Sequence, residues 1–339
     1  MTASKNIFGW EMRIRTLKDN LGRNIDYLRI SITDKCNLRC KYCMPANGVT
    51  LIPHEELLTL EEVYRVASVF ADLGIKKIRL TGGEPLVRKN FIWLVEQIHA
   101  LDGIEEIGMT TNGVLFADKV YDLKKAGLTS VNISLDTRDK ETFTEITGVD
   151  AYDKVSRAID DACKAGIHVK INCVPCRELN ENSLLQVAEI AQNRPIDVRF
   201  IELMPIGCGK DFTGVPSDIL LERLQPHFGK AQPFEGKLGN GPAKYYTFSG
   251  FQGKIGFISP LSHSFCSNCN RVRLTAEGRL KLCLHSDRGI ELKPLLRSGV
   301  CDDEIRRQIE SAVLGKPKEH HFMEQTRHAD NRKMFQIGG

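Results

Sequence analysis

The sequence predicts an α/β fold in which helices surround a parallel sheet. Helix and strand patterns alternate over much of the chain. In four places a glycine is followed by an apolar residue and a short β-branched run that reaches a polar residue. Alternating helices and strands favour a parallel sheet with the helices outside it. The 339 residues are enough for one large domain with an appendage.

The first strand pattern is YLRISIT at 27–33. A helix follows in TLEEVYRVASVFADLG, where Thr59 and Glu62 have the spacing of a capping box and Gly74 is a stop signal. Five further strand patterns come next, at 76–81, 104–111, 128–136, 167–173 and 198–203. Six strands fall short of the eight of a closed barrel, so a partial barrel and an open doubly wound sheet both fit. In either fold, ligands bind at the carboxyl ends of the strands.

The pattern changes after Met204. A Gly/Pro-rich stretch is followed by a predicted hairpin in GKLGNGPAKYYTFSG, two strand-like segments and a polar helical tail. We therefore expect an N-terminal extension at 1–23, a core at 24–204 and a smaller α+β region at 205–339.

Composition narrows the classes of function. The net charge of +4 is too small for a surface that binds nucleic acid, although it permits a local basic pocket. No apolar run is as long as a membrane span, which needs roughly 18 residues, and no apolar core of a signal peptide is present. Eleven cysteines, in clusters with tight spacing, indicate metal-binding thiolates in a reducing compartment. We expect a cytoplasmic protein with no membrane or nucleic-acid partner.

A first cysteine triad, Cys36, Cys40 and Cys43, lies in DKCNLRCKYCMP directly after the first strand. The spacing supplies three thiolates and no fourth ligand nearby, His54 being the nearest histidine. Three thiolates can hold three irons of a [4Fe–4S] cluster and leave the fourth iron open. A zinc site or an unrelated cluster also fits this motif when it is taken alone.

A second triad consists of Cys266, Cys269 and Cys283. It again lacks a clear fourth ligand, and a Cys3His zinc site remains open. The candidates for a fourth ligand are His263, His285, Cys208 and Cys301. We expect the two triads to face each other across the rim of the barrel.

Cationic side chains within predicted strands indicate an anionic ligand. Arg271 and Arg273 in NRVRL alternate on a strand and so share one face. Arginine is the side chain suited to bidentate phosphate binding. Because no GxxxxGK[ST] loop is present, scattered cations would hold any nucleotide phosphates. Further candidates within strands are Arg29, Arg79, Lys170 and Arg199.

The CxxxCxxC motif, together with TGGEP on the next strand, resembles the radical SAM superfamily. The two triads, SVNISLD, VRFIELMP, NRVRLT and the terminal IGG resemble the GTP 3′,8-cyclase family from about residue 24 to the end. The resemblance implies an incomplete (βα)6 TIM-like barrel with a smaller C-terminal α+β region that carries a second Fe–S cluster.

The same resemblance implies two [4Fe–4S] clusters, one on each triad, and S-adenosylmethionine (SAM) at the first cluster. The implied SAM-binding residues are Tyr42, Gly83, Ser134 and Met204. The implied GTP-binding residues are Arg29, Arg79, Thr110, Lys170, Arg271, Val272 and Arg273. The residues implied in catalysis are Arg199, Gly338 and Gly339.

The implied reaction is the radical SAM cyclisation of GTP to (8S)-3′,8-cyclo-7,8-dihydroguanosine 5′-triphosphate. This is the first step of molybdenum cofactor (molybdopterin) biosynthesis, and it classes the enzyme as a lyase. The implied partners are GTP, an electron donor that reduces the clusters and a downstream cyclic pyranopterin monophosphate synthase. The expected state is a monomer or a homodimer.

Two alternatives remain open on the sequence. One is a radical SAM peptide-modifying enzyme with an auxiliary Fe–S cluster, and the other is a zinc-dependent nucleic-acid-binding protein. Two departures from the family pattern stand out. Glu178 replaces a usual glycine, which puts the conformation of that turn in question, and Cys173 and Cys176 form an extra CxxC that we interpret as unligated thiols.

Overall fold

The computed structural model of the protein describes residues 16–45, 48–236, 238–239, 241–322, 330 and 332–338. The strands in these residues are β1 (Tyr27–Ser31), β2 (Lys77–Thr81), β3 (Glu106–Thr111), β4 (Ser130–Ser134), β5 (His168–Cys173), β6 (Asp197–Ile201), β7 (Gln232–Pro233), β8 (Lys244–Thr247), β9 (Ile255–Ile258), β10 (Arg271–Leu274), β11 (Arg279–Lys281) and β12 (Gly289–Glu291). The helices are α1 (Leu60–Asp72), α2 (Phe91–His99), α3 (Val120–Lys125), α4 (Lys140–Thr147), α5 (Tyr152–Lys164), α6 (Leu184–Asn193), α7 (Ser217–Phe228), α8 (Lys293–Arg297), α9 (Asp302–Leu314) and α10 (Met334–Ile337).

The described strands form one curved sheet in the order β12-β11-β10-β1-β2-β3-β4-β5-β6-β9-β8-β7. The six predicted strands are all present and parallel, which confirms the predicted α/β fold. Two strands of the C-terminal region extend this parallel series, β10 beside β1 and β9 beside β6. The predicted hairpin is the antiparallel pair β7–β8. Within the described residues the edge strands β12 and β7 do not pair, so the barrel stays open.

The start of α1 shows how local sequence determines an element. The Thr59 hydroxyl accepts a hydrogen bond from the Glu62 amide at 3.1 Å, and the Glu62 carboxylate accepts one from the Thr59 amide at 2.8 Å. This is the predicted capping box. Gly74 follows the helix with a φ of +90°, a conformation that glycine adopts without steric cost, and β2 begins three residues later.

The two faces of the parallel strands differ sharply in polarity. On β1, Leu28 and Ile30 are fully buried against the outer helices, whereas Tyr27, Arg29 and Ser31 point to the inside of the barrel. Strands of a parallel sheet are usually apolar on both faces. We call the polar, concave side of the sheet the inner face. Because polar side chains are unusual on a parallel strand, their presence here indicates that the inner face binds a polar ligand.

The segment at 17–25 is attached to the barrel, although it overlaps the predicted N-terminal extension. Lys18 pairs with Asn24, and the Ile25 amide donates to the Leu17 carbonyl at 2.8 Å. Leu17 and Ile25 are both buried in the main hydrophobic core. The boundaries at 23 and 204 stay predictions. No helix in the described part of the chain has the length and the apolar run that a membrane crossing needs.

Candidate active site

One cavity of about 370 Å³ occupies the inside of the barrel. All six cysteines of the two triads line it, as do Tyr42, Gly83, Ser134, Met204, Arg29, Arg79, Thr110, Lys170, Arg199, Arg271 and Arg273. The structure therefore brings nearly every predicted site residue to one place. Because these groups come from several different strands and strand ends, the fold itself assembles the site.

The two cysteine triads lie at opposite ends of the strands. The loop at 36–43 follows β1 and so lies at the carboxyl end of the parallel strands. Cys266 and Cys269 precede β10, which is parallel to β1, and Cys283 follows β11, which is antiparallel to β10. The second triad therefore lies at the amino end, and the prediction that the triads face each other across one rim is wrong. The five residues of β1 place about 13 Å between the two levels.

The loop of the first triad is held against α4. The amides of Arg39 and Lys41 donate to carbonyls at the end of that helix at 2.8 and 3.0 Å. Burial raises the pKa of Cys36, raises that of Cys40 well above its ordinary value and raises that of Cys43 to about 12. Cationic groups do not offset the burial of these thiols, so their ionisation depends on a ligand that stabilises thiolate, such as a metal cluster.

The TGGEP loop packs against the backbone of the first-triad loop. The Gly83 amide donates to the Thr33 carbonyl at 2.8 Å, and the Glu84 amide donates to the Lys35 carbonyl at the same distance. A Cβ at Gly82 would lie 2.5 Å from the Thr33 oxygen, and one at Gly83 would lie 2.4 Å from the Lys35 oxygen. Both positions therefore require glycine, because a side chain would push the two loops apart.

Glu84 joins this loop to the end of β3. Its buried carboxylate accepts hydrogen bonds from the Asn112 amide at 2.8 Å and from the Thr111 hydroxyl at 2.9 Å. Burial raises the pKa of Glu84 to about 7. Asn112 also donates to the Cys36 sulfur at 3.7 Å, so the polar ends of β1, β2 and β3 form one connected network.

Tyr42 and Asp136 form a second link across the carboxyl end. The Tyr42 hydroxyl donates to Asp136 at 2.6 Å, and the other Asp136 oxygen accepts from the Val174 amide at 2.8 Å. Burial raises the pKa of Asp136 to about 6. This contact holds the half-buried Tyr42 beside the triad, where it lines the cavity together with Ser134 and Met204.

The second triad has a different electrostatic environment. Burial opposes ionisation of Cys269, but Lys316 and Arg271 outweigh it and lower its pKa to about 7. Among the described residues, no three His, Cys, Asp or Glu side chains are grouped to hold a single metal ion. Three thiolates on a four-iron cube bind three separate irons and so lie farther apart than ligands of one zinc ion.

The residues considered as fourth ligands have other contacts or positions. His263 lies 3.0 Å from the Asp218 carboxylate, and the His285 ring packs edge-on against Phe322. Cys208 raises the pKa of Cys43 by its charge, which places it near the first triad, not the second. Cys301 is exposed at the start of α9.

Cationic side chains form rows across the inner face. The members of the first row, in register on β10, β1 and β2, are Arg271, Tyr27 and Lys77, and those of the second row are Arg273, Arg29 and Arg79. On β3 the second row continues as Gly108, where a Cβ would lie 2.4 Å from the Arg79 guanidinium. The glycine makes room for Arg79, which donates to the Tyr27 hydroxyl and the Met109 carbonyl, both at 2.8 Å.

Lys170 on β5 and Arg199 on β6 enter the cavity from strands farther along the sheet than β10, β1 and β2. Lys170 donates to the Leu238 carbonyl at 2.9 Å, and Arg199 donates through Nε to the Asn172 side chain at 3.0 Å. Burial and the neighbouring Arg199 charge lower the pKa of Lys170 to about 8, and burial lowers the pKa of Arg29 to about 10. The interior is thus crowded with positive charge.

The end of the chain enters the same space. Arg273 donates to the Gly338 carbonyl at 2.8 Å, and Phe335 and Ile337 are buried. Gly338 has a φ of +81°, and a Cβ there would lie 2.9 Å from the Ser31 Cβ, so this position also requires glycine. Gly339 lies outside the described residues.

Val272 is not brought into the cavity by its side chain. It alternates with Arg271 and Arg273 and is buried in the outer core, so only its backbone is near the site.

The sequence interpretation missed Tyr27, Lys77, Asn132 and Asn172, which also line the cavity. Polar residues at every second position of β1, β2, β4 and β5 were the available signal.

The extra cysteines and Glu178 have ordinary structural roles. Cys173 and Cys176 are buried thiols without a disulfide. Glu178 accepts from the Thr213 amide at 3.0 Å, and its φ is not positive, so its turn closes without glycine.

Substituting Gly83→Ala should dislocate the first-triad loop, because the new Cβ meets backbone oxygen instead of a flexible side chain. We expect reconstituted protein to lose iron from the first triad. Gly103→Ala is the control, since nothing lies within 4 Å of its Cβ and only the left-handed φ of +85° adds a cost of about 1 kcal/mol. Equal iron content in both variants, measured by metal analysis, would contradict the packing argument.

Comparisons with known proteins agree with the geometry. Residues 30–191 match the Radical SAM superfamily, and residues 196–322 match Molybdenum Cofactor Synthesis C. A GTP 3′,8-cyclase of Clostridium perfringens (strain SM101 / Type A) is 47% identical over 325 residues, which are 95% of this chain and 100% of that protein. A GTP 3′,8-cyclase of Desulforamulus reducens is also 47% identical, over 95% of this chain and 99% of that protein.

Among solved structures, Streptococcus suis SuiB bound to S-adenosylmethionine matches with a TM-score of 0.60 and 14% identity, over 86% of this chain and 68% of that chain. That likeness concerns the fold alone, and it supports the incomplete barrel. The two family matches and the near-complete alignments with curated relatives show that this chain belongs to the GTP 3′,8-cyclase family of the radical SAM superfamily.

Proposed function

We propose that this protein is a radical SAM lyase that cyclises GTP to 3′,8-cyclo-7,8-dihydro-GTP, the first step of molybdenum cofactor biosynthesis. One observation carries the proposal. A single cavity has a cysteine triad at each end and cationic rows between them. A nucleoside triphosphate carries a negative charge that matches the cationic rows. Family membership supports the same reaction.

The residues around the first triad fit a [4Fe–4S] cluster and SAM. Cys36, Cys40 and Cys43 would hold one [4Fe–4S] cluster with an open iron, and the glycines of TGGEP let that loop pack directly against the backbone that leads into the triad. Tyr42, Gly83, Ser134 and Met204 would contact SAM. When bound and reduced, the cluster and SAM would supply a 5′-deoxyadenosyl radical for hydrogen abstraction from the ribose of GTP.

The second triad would hold another [4Fe–4S] cluster at the amino end. Its open iron is the proposed contact of the guanine, while Arg29, Arg79, Thr110, Lys170, Arg271 and Arg273 would bind the rest of GTP. Val272 would contribute backbone only. Bidentate guanidinium contacts suit phosphate oxygens, and the buried site strengthens them.

Arg199, Gly338 and Gly339 are proposed to assist catalysis. Arg199 is held on Asn172 at the carboxyl end, where the proposed radical would arise, and the Gly338 carbonyl accepts from Arg273 beside the cavity. We further propose an electron donor that reduces the clusters, a downstream cyclic pyranopterin monophosphate synthase, a cytoplasmic location and a monomeric or homodimeric state. The peptide-modifying and zinc-dependent alternatives are not favoured, given the family assignment.

GTP should stimulate SAM cleavage by the anaerobically reconstituted protein. With SAM and a strong reductant, we expect 5′-deoxyadenosine to accumulate faster with GTP than with ATP, CTP or no nucleotide, because GTP alone offers both the guanine and the reacting ribose in register. Chromatography of 5′-deoxyadenosine and of the cyclised nucleotide checks this. Equal cleavage with every nucleotide would argue for another substrate.

Arg271→Ala should weaken GTP binding more than tenfold, since a buried charge-assisted contact contributes about 1.5–3 kcal/mol. SAM binding at the other end of the strands should persist. Arg279→Ala is the matched control, because that arginine lies on the adjoining strand and pairs with Glu291 away from the cavity. Calorimetric titration with GTP measures both variants. An unchanged affinity for Arg271→Ala would place the nucleotide elsewhere.

GTP affinity should fall as the pH rises through about 7. Burial opposes ionisation of Tyr27, but Arg79, Arg29, Lys77 and Arg271 outweigh burial and lower its pKa to about 7. Above that pH a phenolate competes with the phosphates for the same cations. In Tyr27→Phe the affinity for GTP should begin to fall only near pH 8, where Lys170 loses its charge. Identical pH profiles for the two proteins would contradict the role of Tyr27.

A further inference from the structure

A buried arginine outside the cavity connects the segment at 19–23 to the loop of the second triad. Arg23 has a relative exposure of 8%, and its Nε donates to Asp19 at 2.5 Å. One terminal nitrogen donates to the Cys266 carbonyl at 2.8 Å and the Lys318 carbonyl at 3.1 Å. The other donates to the Pro317 carbonyl at 2.7 Å and the Lys316 carbonyl at 3.4 Å. All five N–H donors of the guanidinium thus have acceptors.

The segment at 316–318 extends this network to the other two cysteines. The Lys316 ammonium donates to the Arg271 carbonyl at 2.7 Å and to the Leu282 carbonyl. Arg271 lies two residues after Cys269, and Leu282 directly precedes Cys283. One chain of buried hydrogen bonds therefore runs from Asp19 through Arg23 and Lys316 to the backbone at all three ligands.

We infer that Arg23 is a positioning residue for the second cluster, which it holds in register by clamping the backbone of the cysteine loop. The inference rests on the proposed second cluster, but not on GTP as the substrate. Local sequence does not impose this geometry, since Cys266 and Cys283 belong to different loops. A fixed outer network is what keeps metal ligands at their required separations. The positive charge of Arg23 does not by itself explain this arrangement, because the guanidinium makes five directional hydrogen bonds.

The test is iron content of the full-length protein after anaerobic reconstitution, together with the electron paramagnetic resonance of the reduced clusters. Two cubane clusters correspond to about eight irons per chain. In Arg23→Gln we expect about four irons, with the signal of the first cluster and SAM binding retained. Arg23→Lys should behave in the same way. The three N–H donors of a lysine lie on one nitrogen and cannot reach acceptors that are arranged around a planar guanidinium.

Arg65→Gln is the matched control. Arg65 also pairs with an aspartate, Asp302 at 2.7 Å, and donates to two carbonyls, but it joins α1 to the region of α9 away from both triads. The Arg65→Gln protein should keep about eight irons per chain. Lys316→Met, which removes the second link, should lose the second cluster as Arg23→Gln does.

Three results would overturn the inference. The first is eight irons and unchanged spectra in Arg23→Gln. The second is equal loss from both clusters, which would indicate general destabilisation. The third is full recovery in Arg23→Lys, which would reduce the role to charge. A wild-type content of only four irons would instead refute the proposed second cluster, so the two failures are distinguishable.

Discussion

Crowding of like charge inside the barrel is the constraint on which the site depends. Seven cationic side chains from the strands line the cavity, and the carboxylates in register with them are Glu106 and Asp197. Burial lowers the pKa of Lys77, Lys170 and Arg273, and in each case neighbouring cations lower it further. Charge held in this way costs free energy unless an anion compensates it. The proposed binding of GTP at these cations would supply that compensation, so the charge that costs the free protein stability would favour the complex.

The rest of the barrel is adapted to these cations. Gly108 lacks a side chain where Arg79 needs volume, and Gly256 lacks one beside Tyr245 and Arg199. Tyr27 accepts a hydrogen bond from Arg79, and the surrounding cations outweigh burial and lower its pKa. Outside the sheet the same strands are wholly apolar and pack against helices. Stability therefore comes from the outer layer and function from the inner one, which lets a charged interior persist in a parallel sheet.

How well a feature could be predicted from the sequence depends on how far apart in the chain the interacting residues lie. The six strands and the capping box at Thr59 depend on residues within a few positions of one another, and they were predicted nearly at their bounds. The pairing of β10 with β1 joins residues far apart in the chain, so the sequence did not reveal that the second triad lies at the amino end. Arg23 was assigned to an extension for the same reason, because its acceptors lie near Cys266 and at 316–318. Val272 shows the reverse case, since simple strand alternation already pointed its side chain away from Arg271.

This difference in range has a consequence for how the two cysteine triads form. The first triad lies in one loop after β1, and its packing partners, the TGGEP glycines and the end of α4, follow within the same core. The second triad exists only when β10 has paired with β1, β11 has turned back, and Arg23 has met the segment at 316–318. Contacts of long sequence separation form late because closing the loop costs entropy before any contact is gained. The first triad can therefore be assembled by local βα units, whereas the second requires the distant segments at 19–23 and 316–318 to have met.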